Sequence, residues 1–227
     1  GIYTGLFAVP FVALIVADWL YFPFITGKNF AFRIIVELVF GMWVVLALYA
    51  SEFRPRKVLA LILGGVFVLA IGVSTVLAEN PSKAFWSNFE RMEGYVTLLH
   101  LAAYVVVLTT MMRTEELWKR FFNTSLVAAS LVAAYSLLQL SGMFTINQGG
   151  VRIDATFGNA TYFAVYMLIH TFVAVYALTR WSRGVRWLQG LYGVMALVFA
   201  ILVFYSATRG SIIGLAGGML LTGILIL

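Results

Sequence analysis

The stretch VLALILGGVFVLAIGVSTVLA, residues 58–78, decides the fold class. It holds no charge over a length close to the roughly 20 residues that a bilayer-crossing helix needs. A helix on the surface of a soluble domain alternates a polar and an apolar face, and nothing in this run is polar enough to face water. Its flanks change abruptly, to Arg54, Arg56 and Lys57 on one side and Glu79 and Asn80 on the other. Outward from it, charge-free runs recur at 94–112, 121–151, 155–179, 187–208 and 210–227. The whole chain of 227 residues is 63% hydrophobic and 11% charged, against about 25% charged in a soluble domain.

The class expected is therefore all-α, a polytopic transmembrane helical bundle forming one domain over 1–227, with about eight spans. They are placed at 3–22, 31–50, 58–78, 95–112, 120–140, 160–178, 187–206 and 210–227. The chain lacks an initiating methionine and stops within an apolar run, so it reads as cut at both ends. Arg54, Arg56, Lys57, Arg113, Lys119, Arg120, Arg180, Arg183 and Arg186 fall in alternate connections of one parity, which places those connections in the cytoplasm. Gly1 is then cytoplasmic, and the loops at 79–94 and 141–159 face outside.

With no cysteine and two histidines, the chain has no thiolate site and little material for an imidazole metal cluster. No metal and no cofactor are expected. The net charge of +6 sits in short connections, where it orients spans, so nucleic acid is discarded as a partner and the lipid bilayer takes its place.

Chemistry should concentrate in the two long outer loops. In the first, Phe85, Trp86 and Phe89 precede Glu90, Arg91 and Glu93. An interfacial aromatic belt explains such a pattern, and so does a lip that holds a sugar. In the second, Arg152 and Asp154 lie among glycines ahead of Phe157, Gly158 and Asn159. Arg152 offers a planar donor fork suited to phosphate, the structural alternative being a surface pair with Asp154. Arg209 is the lone charge between residues 187 and 227, costly against lipid and so directed to a polar cavity or the headgroups. Behind it Gly210, Gly214 and Gly218 recur at a spacing that allows close helix contact. Asp18, Arg33 and Glu37 read as a structural charge group, and His100 and His170 as hydrogen-bonded packing residues.

Together SNFERMEGYVTLLH at 87–100, RIDATFGNATYFAVYMLIH at 152–170 and SATRGSIIGLAGG at 206–218 resemble the bacterial O-antigen ligase and O-antigen polymerase superfamily. Ala160 departs from the proline that this family often has after the asparagine. The resemblance implies a metal-independent, multi-span glycosyltransferase of the bacterial inner membrane. It would move a glycan from undecaprenyl diphosphate to an acceptor, which is lipid A core, protein or a growing polysaccharide. The implied substrate-binding residues are Arg152, Arg209, Arg91, Glu90, Glu93 and Asn159, and the catalytic base is expected beyond Leu227. The alternative is a membrane transporter, or a non-catalytic protein that binds an anion or a lipid-linked glycan.

The absence of cysteine makes the orientation testable. Single cysteines at Lys83 or Gln148 should react with a membrane-impermeant thiol reagent in intact cells, while cysteines at Arg54, Arg113 or Arg183 should react only after lysis. The reverse pattern would invert the topology.

Overall fold

The computed structural model describes residues 1–88, 92–147 and 150–226, and among these every regular element is helical. The helices are α1 (Ile2–Ala8), α2 (Thr26–Tyr49), α3 (Leu59–Val76), α4 (Pro81–Trp86), α5 (Tyr95–Met111), α6 (Glu115–Leu140), α7 (Ala160–Arg180), α8 (Arg186–Tyr205) and α9 (Arg209–Ile226). Five of them, α2, α3, α6, α7 and α8, are long and apolar enough to cross a membrane. Shorter apolar helices occupy Ile2–Leu14, Tyr95–Met111 and Arg209–Ile224. The protein is a helical membrane protein, and its surface pattern agrees. Leu59, Leu69, Val76 and Leu77 of the α3 region are exposed, whereas Gln139, Asp154, Thr171 and Ser206 are buried. Water would reverse that arrangement; hydrocarbon favours it.

The first segment differs from the unbroken helix expected over 3–22. After α1 the chain tightens into a 3₁₀ turn at Val9–Leu14 with Pro10 near its start, and Ile15 is extended. Proline has no amide hydrogen to give the preceding turn, and its ring crowds that turn's carbonyl. The Lys28 ammonium closes the break by donating to the carbonyls of Ile15, at 2.6 Å, and Phe24, at 3.2 Å. Asp18 is exposed in the connection that follows.

The helices gather into two compact units, Gly1–Trp118 and Lys119–Leu227. In the first, α2 lies between α1 and α5, and α3 packs on α5. Small residues set the α1 contact, where Gly5 meets Val39 and Ile35. The buried side of α2 carries Arg33, Val36, Val39 and Trp43, at helical spacing. Arg33 and Glu37 do not pair with each other as the sequence spacing suggested. Arg33, only 8% exposed, donates through Nη2 to the Met92 carbonyl and to Thr97 Oγ1, the latter at 2.7 Å. Glu37 instead takes His100, with Oε1 3.0 Å from Nε2. Both side chains, neighbours on one face of α2, turn to α5, which presents acceptors to one and an imidazole to the other. The far ends of α2 and α5 are pinned by Arg113, whose Nη2 donates to the Glu52 carbonyl at 2.5 Å and whose guanidinium covers the Phe53 ring.

In the second unit α7 and α8 form an antiparallel hairpin that turns at Gly184, whose φ of +81° suits glycine. The face of α7 that is buried reads Ala160, Phe163, Ala164, Met167, His170, Thr171, Ala174 and Ala177, steps of three and four. The alanines let neighbouring helices approach without a hydrophobic driving force. Polar side chains then fix the register. His170 Nδ1 donates to the Tyr166 carbonyl at 2.8 Å, since a carbonyl only accepts, so Nε2 accepts from Ser125 of α6, also at 2.8 Å. Tyr192 of α8 donates to Asn123 Oδ1 of α6 at 2.9 Å. Gly214 and Gly218 of α9 sit against Leu168 and Phe172 of α7, while Gly210 faces open space.

Gly94, which caps the start of α5, backs directly onto the Phe85 carbonyl, and a methyl group there has no room. Gly94→Ala should lower stability by about 1–3 kcal/mol as overpacking does. Gly64→Ala, a mid-helix site in open space, should be neutral or slightly stabilising, by up to about 1 kcal/mol. Melting of both variants in the same detergent compares them.

Candidate functional site

The loop that leads into α7 is held from below by the end of α6. Gln139, in the last turn of α6, is 3% exposed and saturates its amide on the loop. Its Nε2 donates to Asp154 Oδ1 and to the Thr145 carbonyl, and its Oε1 accepts from the Ala155 amide, all at 2.8 Å. Asp154 is fully buried and also accepts from the Asn147 amide at 3.1 Å. A surface pair with Arg152 is therefore not the role of Asp154. A carboxylate removed from water needs several donors, and it finds them in the loop it organises. Ala155 is driven to a φ of +46° by this clamp, a strained value for a residue with a Cβ, and Gly158 turns the chain into α7 at +59°.

Asn159 caps α7, its Oδ1 accepting from the amides of Thr161 at 2.9 Å and Tyr162 at 3.3 Å. That oxygen is committed to the helix end. Ahead of it Arg152 reaches across to the turn between α8 and α9. Its Nε donates to the Ser206 carbonyl and its Nη2 to Thr208 Oγ1, both at 2.9 Å. The turn itself is tight: Ala207 has a φ of +51°, and the buried Ser206 hydroxyl donates back to the Val203 carbonyl at 2.6 Å. Thr208 Oγ1 also lies 3.5 Å from the Ala160 carbonyl, so the turn rests on the first residue of α7.

Arg209 follows immediately as the first residue of α9, exposed, and among the described residues its side chain makes no hydrogen bond or ion pair. Its guanidinium stands at the positive end of an 18-residue helix. Arg152 spends one edge of its fork on the protein and keeps Nη1. The two arginines therefore flank one three-residue turn, which is an arrangement able to hold an anion. Among the described residues no group of three or more His, Asp or Glu is placed to hold a metal ion. Glu93 is exposed on the segment leading into α5 of the first unit. Phe89, Glu90, Arg91 and Gln148 lie outside the described residues.

The residues that sequence reading passed over are Gln139, Ser206 and Thr208. Gln139 carried a signal, an amide in the last turn of an otherwise apolar span, where such a group must find partners. Ser206 and Thr208 stood inside the SATRG motif, but nothing in its spacing said that Arg152 would reach them. No protein-family model, curated protein or solved structure matches this chain, so these contacts and the sequence motifs carry the reading.

The clamp predicts strong coupling. Gln139→Ala and Asp154→Ala should each cost about 1–3 kcal/mol, because each leaves buried partners unpaired. The double variant should cost less than the sum by about 0.5–3 kcal/mol. Thermal melts of the four proteins give the cycle, and strict additivity would mean that the two side chains act apart.

Proposed function

We propose that this chain belongs to a multi-span glycosyltransferase of the O-antigen ligase and polymerase kind. It would transfer a glycan from undecaprenyl diphosphate to an acceptor hydroxyl at the outer face of a bacterial inner membrane. In this reading the eight apolar segments all cross the bilayer, Gly1 is cytoplasmic and the loops at 79–94 and 141–159 face outside. The observation that carries it is the bridge from Arg152 to Ser206 and Thr208, beside Arg209. Two motifs more than fifty residues apart, each holding one of the arginines that the family resemblance singles out, meet at one turn.

The chemistry follows from the charge. As the acceptor oxygen bonds to the anomeric carbon, the sugar to phosphate bond breaks and its electron pair leaves with the diphosphate. Fixed cations stabilise that developing charge without reorganising. Arg209 supplies a whole guanidinium and Arg152 its remaining Nη1, while Gln139 and Asp154 keep the loop from yielding. The acceptor proton passes to a general base that is not one of these residues. The family resemblance assigns Glu90, Arg91 and Glu93 to recognition of the glycan or acceptor.

The test uses the complete encoded protein with an undecaprenyl diphosphate glycan. Arg209→Ala should reduce transfer roughly 10- to 100-fold, the loss of one charge-assisted contact of about 1.5–3 kcal/mol. Arg152→Ala should lose at least as much, since it also releases the turn, and Arg152→Lys should recover little, because an ammonium cannot replace a two-point fork. Immunoblotting of membranes checks that each variant is inserted. Normal transfer by both alanine variants would remove the anion site from the mechanism.

A further inference from the structure

At the opposite end of α7 from the arginine turn, residues of α7 and α9 line a cavity of about 590 Å³ that no feature of the proposed transferase uses. It opens just past the point where the two helices touch. Gly218 is pressed against the Phe172 ring, and one turn beyond, Thr222 lines the cavity. Phe172, Val175 and Tyr176 of α7 wall the cavity on one side and Thr222 of α9 on the other, with Arg180 and Arg183 at its end.

The chemistry of the lining is graded along α7. Phe172 to Arg180 spans about 12 Å of helix at about 1.5 Å per residue, close to the depth of one leaflet's hydrocarbon, about half of roughly 30 Å. Aromatic and aliphatic walls line the deep end, and a pair of guanidinium groups marks the shallow end. Arg183 is steadied by its Nε, which donates to the Thr179 carbonyl at 2.9 Å. Trp187, exposed just past this end, marks the level at which indole rings meet headgroups. A small anion would use the arginines and leave the apolar walls wet or empty. A neutral lipid would fill the walls but bring no net negative charge to the exposed Arg183 guanidinium. An anionic phospholipid matches both, and basic pockets between transmembrane helices are the known setting for such headgroups.

We infer that the groove between α7 and α9 binds one anionic phospholipid, its phosphate at Arg183 in the arginine-lined mouth and an acyl chain along Phe172, Val175 and Tyr176. The inference is independent of the transferase reading. Seated there, the lipid would wedge α7 against α9 and so brace, from the other end, the two helices whose starts carry Arg152's partners and Arg209.

The experiment titrates the purified complete protein, in a non-ionic detergent, with phosphatidylglycerol, with phosphatidylcholine of the same chains, and with glycerol phosphate, and reads the melting temperature. Phosphatidylglycerol should stabilise saturably, phosphatidylcholine should need at least roughly tenfold more lipid, and glycerol phosphate should do nothing. The double variant Arg180→Gln/Arg183→Gln should raise the phosphatidylglycerol midpoint roughly tenfold or more. Thr222→Trp fills the groove but keeps both arginines, and should do the same, so it decides the matter should the double variant fold poorly. Arg54→Gln/Arg56→Gln, in a basic connection of the other unit, should titrate like the parent. Equal midpoints for the two lipids, or an unchanged midpoint in Thr222→Trp, would overturn the inference. Stabilisation by glycerol phosphate at matching concentration would also overturn it, in favour of a plain phosphate site.

Discussion

Hydrocarbon offers a polar group nothing to bond with, and the arrangement of this chain follows from that single constraint. Hydroxyls within the apolar helices turn back on their own backbone: Thr75 donates to Ile71, Thr124 to Arg120, Ser130 to Leu126 and Thr171 to Met167, each four residues earlier. Groups that cannot be satisfied locally draw helices together instead. Arg33 recruits the start of α5, and His170 joins α7 to α6 through Ser125. The polar contacts choose the neighbours, and the small residues let those neighbours come close. In water the same bonds would compete with solvent and contribute little more than about 1 kcal/mol each.

That constraint is most concentrated where the backbone must leave the helix. The loop before α7 buries an aspartate and a glutamine side by side, and their mutual satisfaction makes it a rigid element. Rigidity on one side is what allows strain on the other. Ala155 and Ala207 both occupy left-handed backbone without being glycine, and both lie within a few residues of the Arg152 bridge. Strain of this kind costs about 1–3 kcal/mol per residue and persists only where the surroundings over-determine it. Here Gln139 holds the first alanine, and the Arg152 bonds to Ser206 and Thr208 hold the turn that contains the second.

The helix α7 connects the two features of the second unit. Its first residue supports the turn that presents Arg209, and its last turn carries Arg180 at the mouth of the graded groove. Between them the contacts of Leu168 with Gly214 and Phe172 with Gly218 form the fulcrum on α9. Whatever occupies the groove therefore acts on the same pair of helices that position the arginine turn, through close-packed side chains that transmit strain.

The sequence by itself determined the class and most boundaries, because an apolar run of given length has one way to satisfy its backbone in a bilayer. The helices at 59–76, 95–111, 160–180, 186–205 and 209–226 begin and end within two or three residues of the expected spans. It also exposed Arg152 and Arg209, since an arginine beside hydrocarbon is conspicuous wherever it stands. The break at Pro10 was legible in principle, yet apolarity continues through it, so hydropathy alone passed over a loss that is purely one of hydrogen bonding. Pairing was another matter. Arg33 with Glu37, and Arg152 with Asp154, were the near neighbours along the chain, and in the fold Glu37 takes His100 while Asp154 sinks onto Gln139. Spacing reports which groups share a helix face or a loop. Only packing decides which donor reaches which acceptor across helices, because a buried charge settles on the best-satisfied site within reach and not on the nearest in sequence.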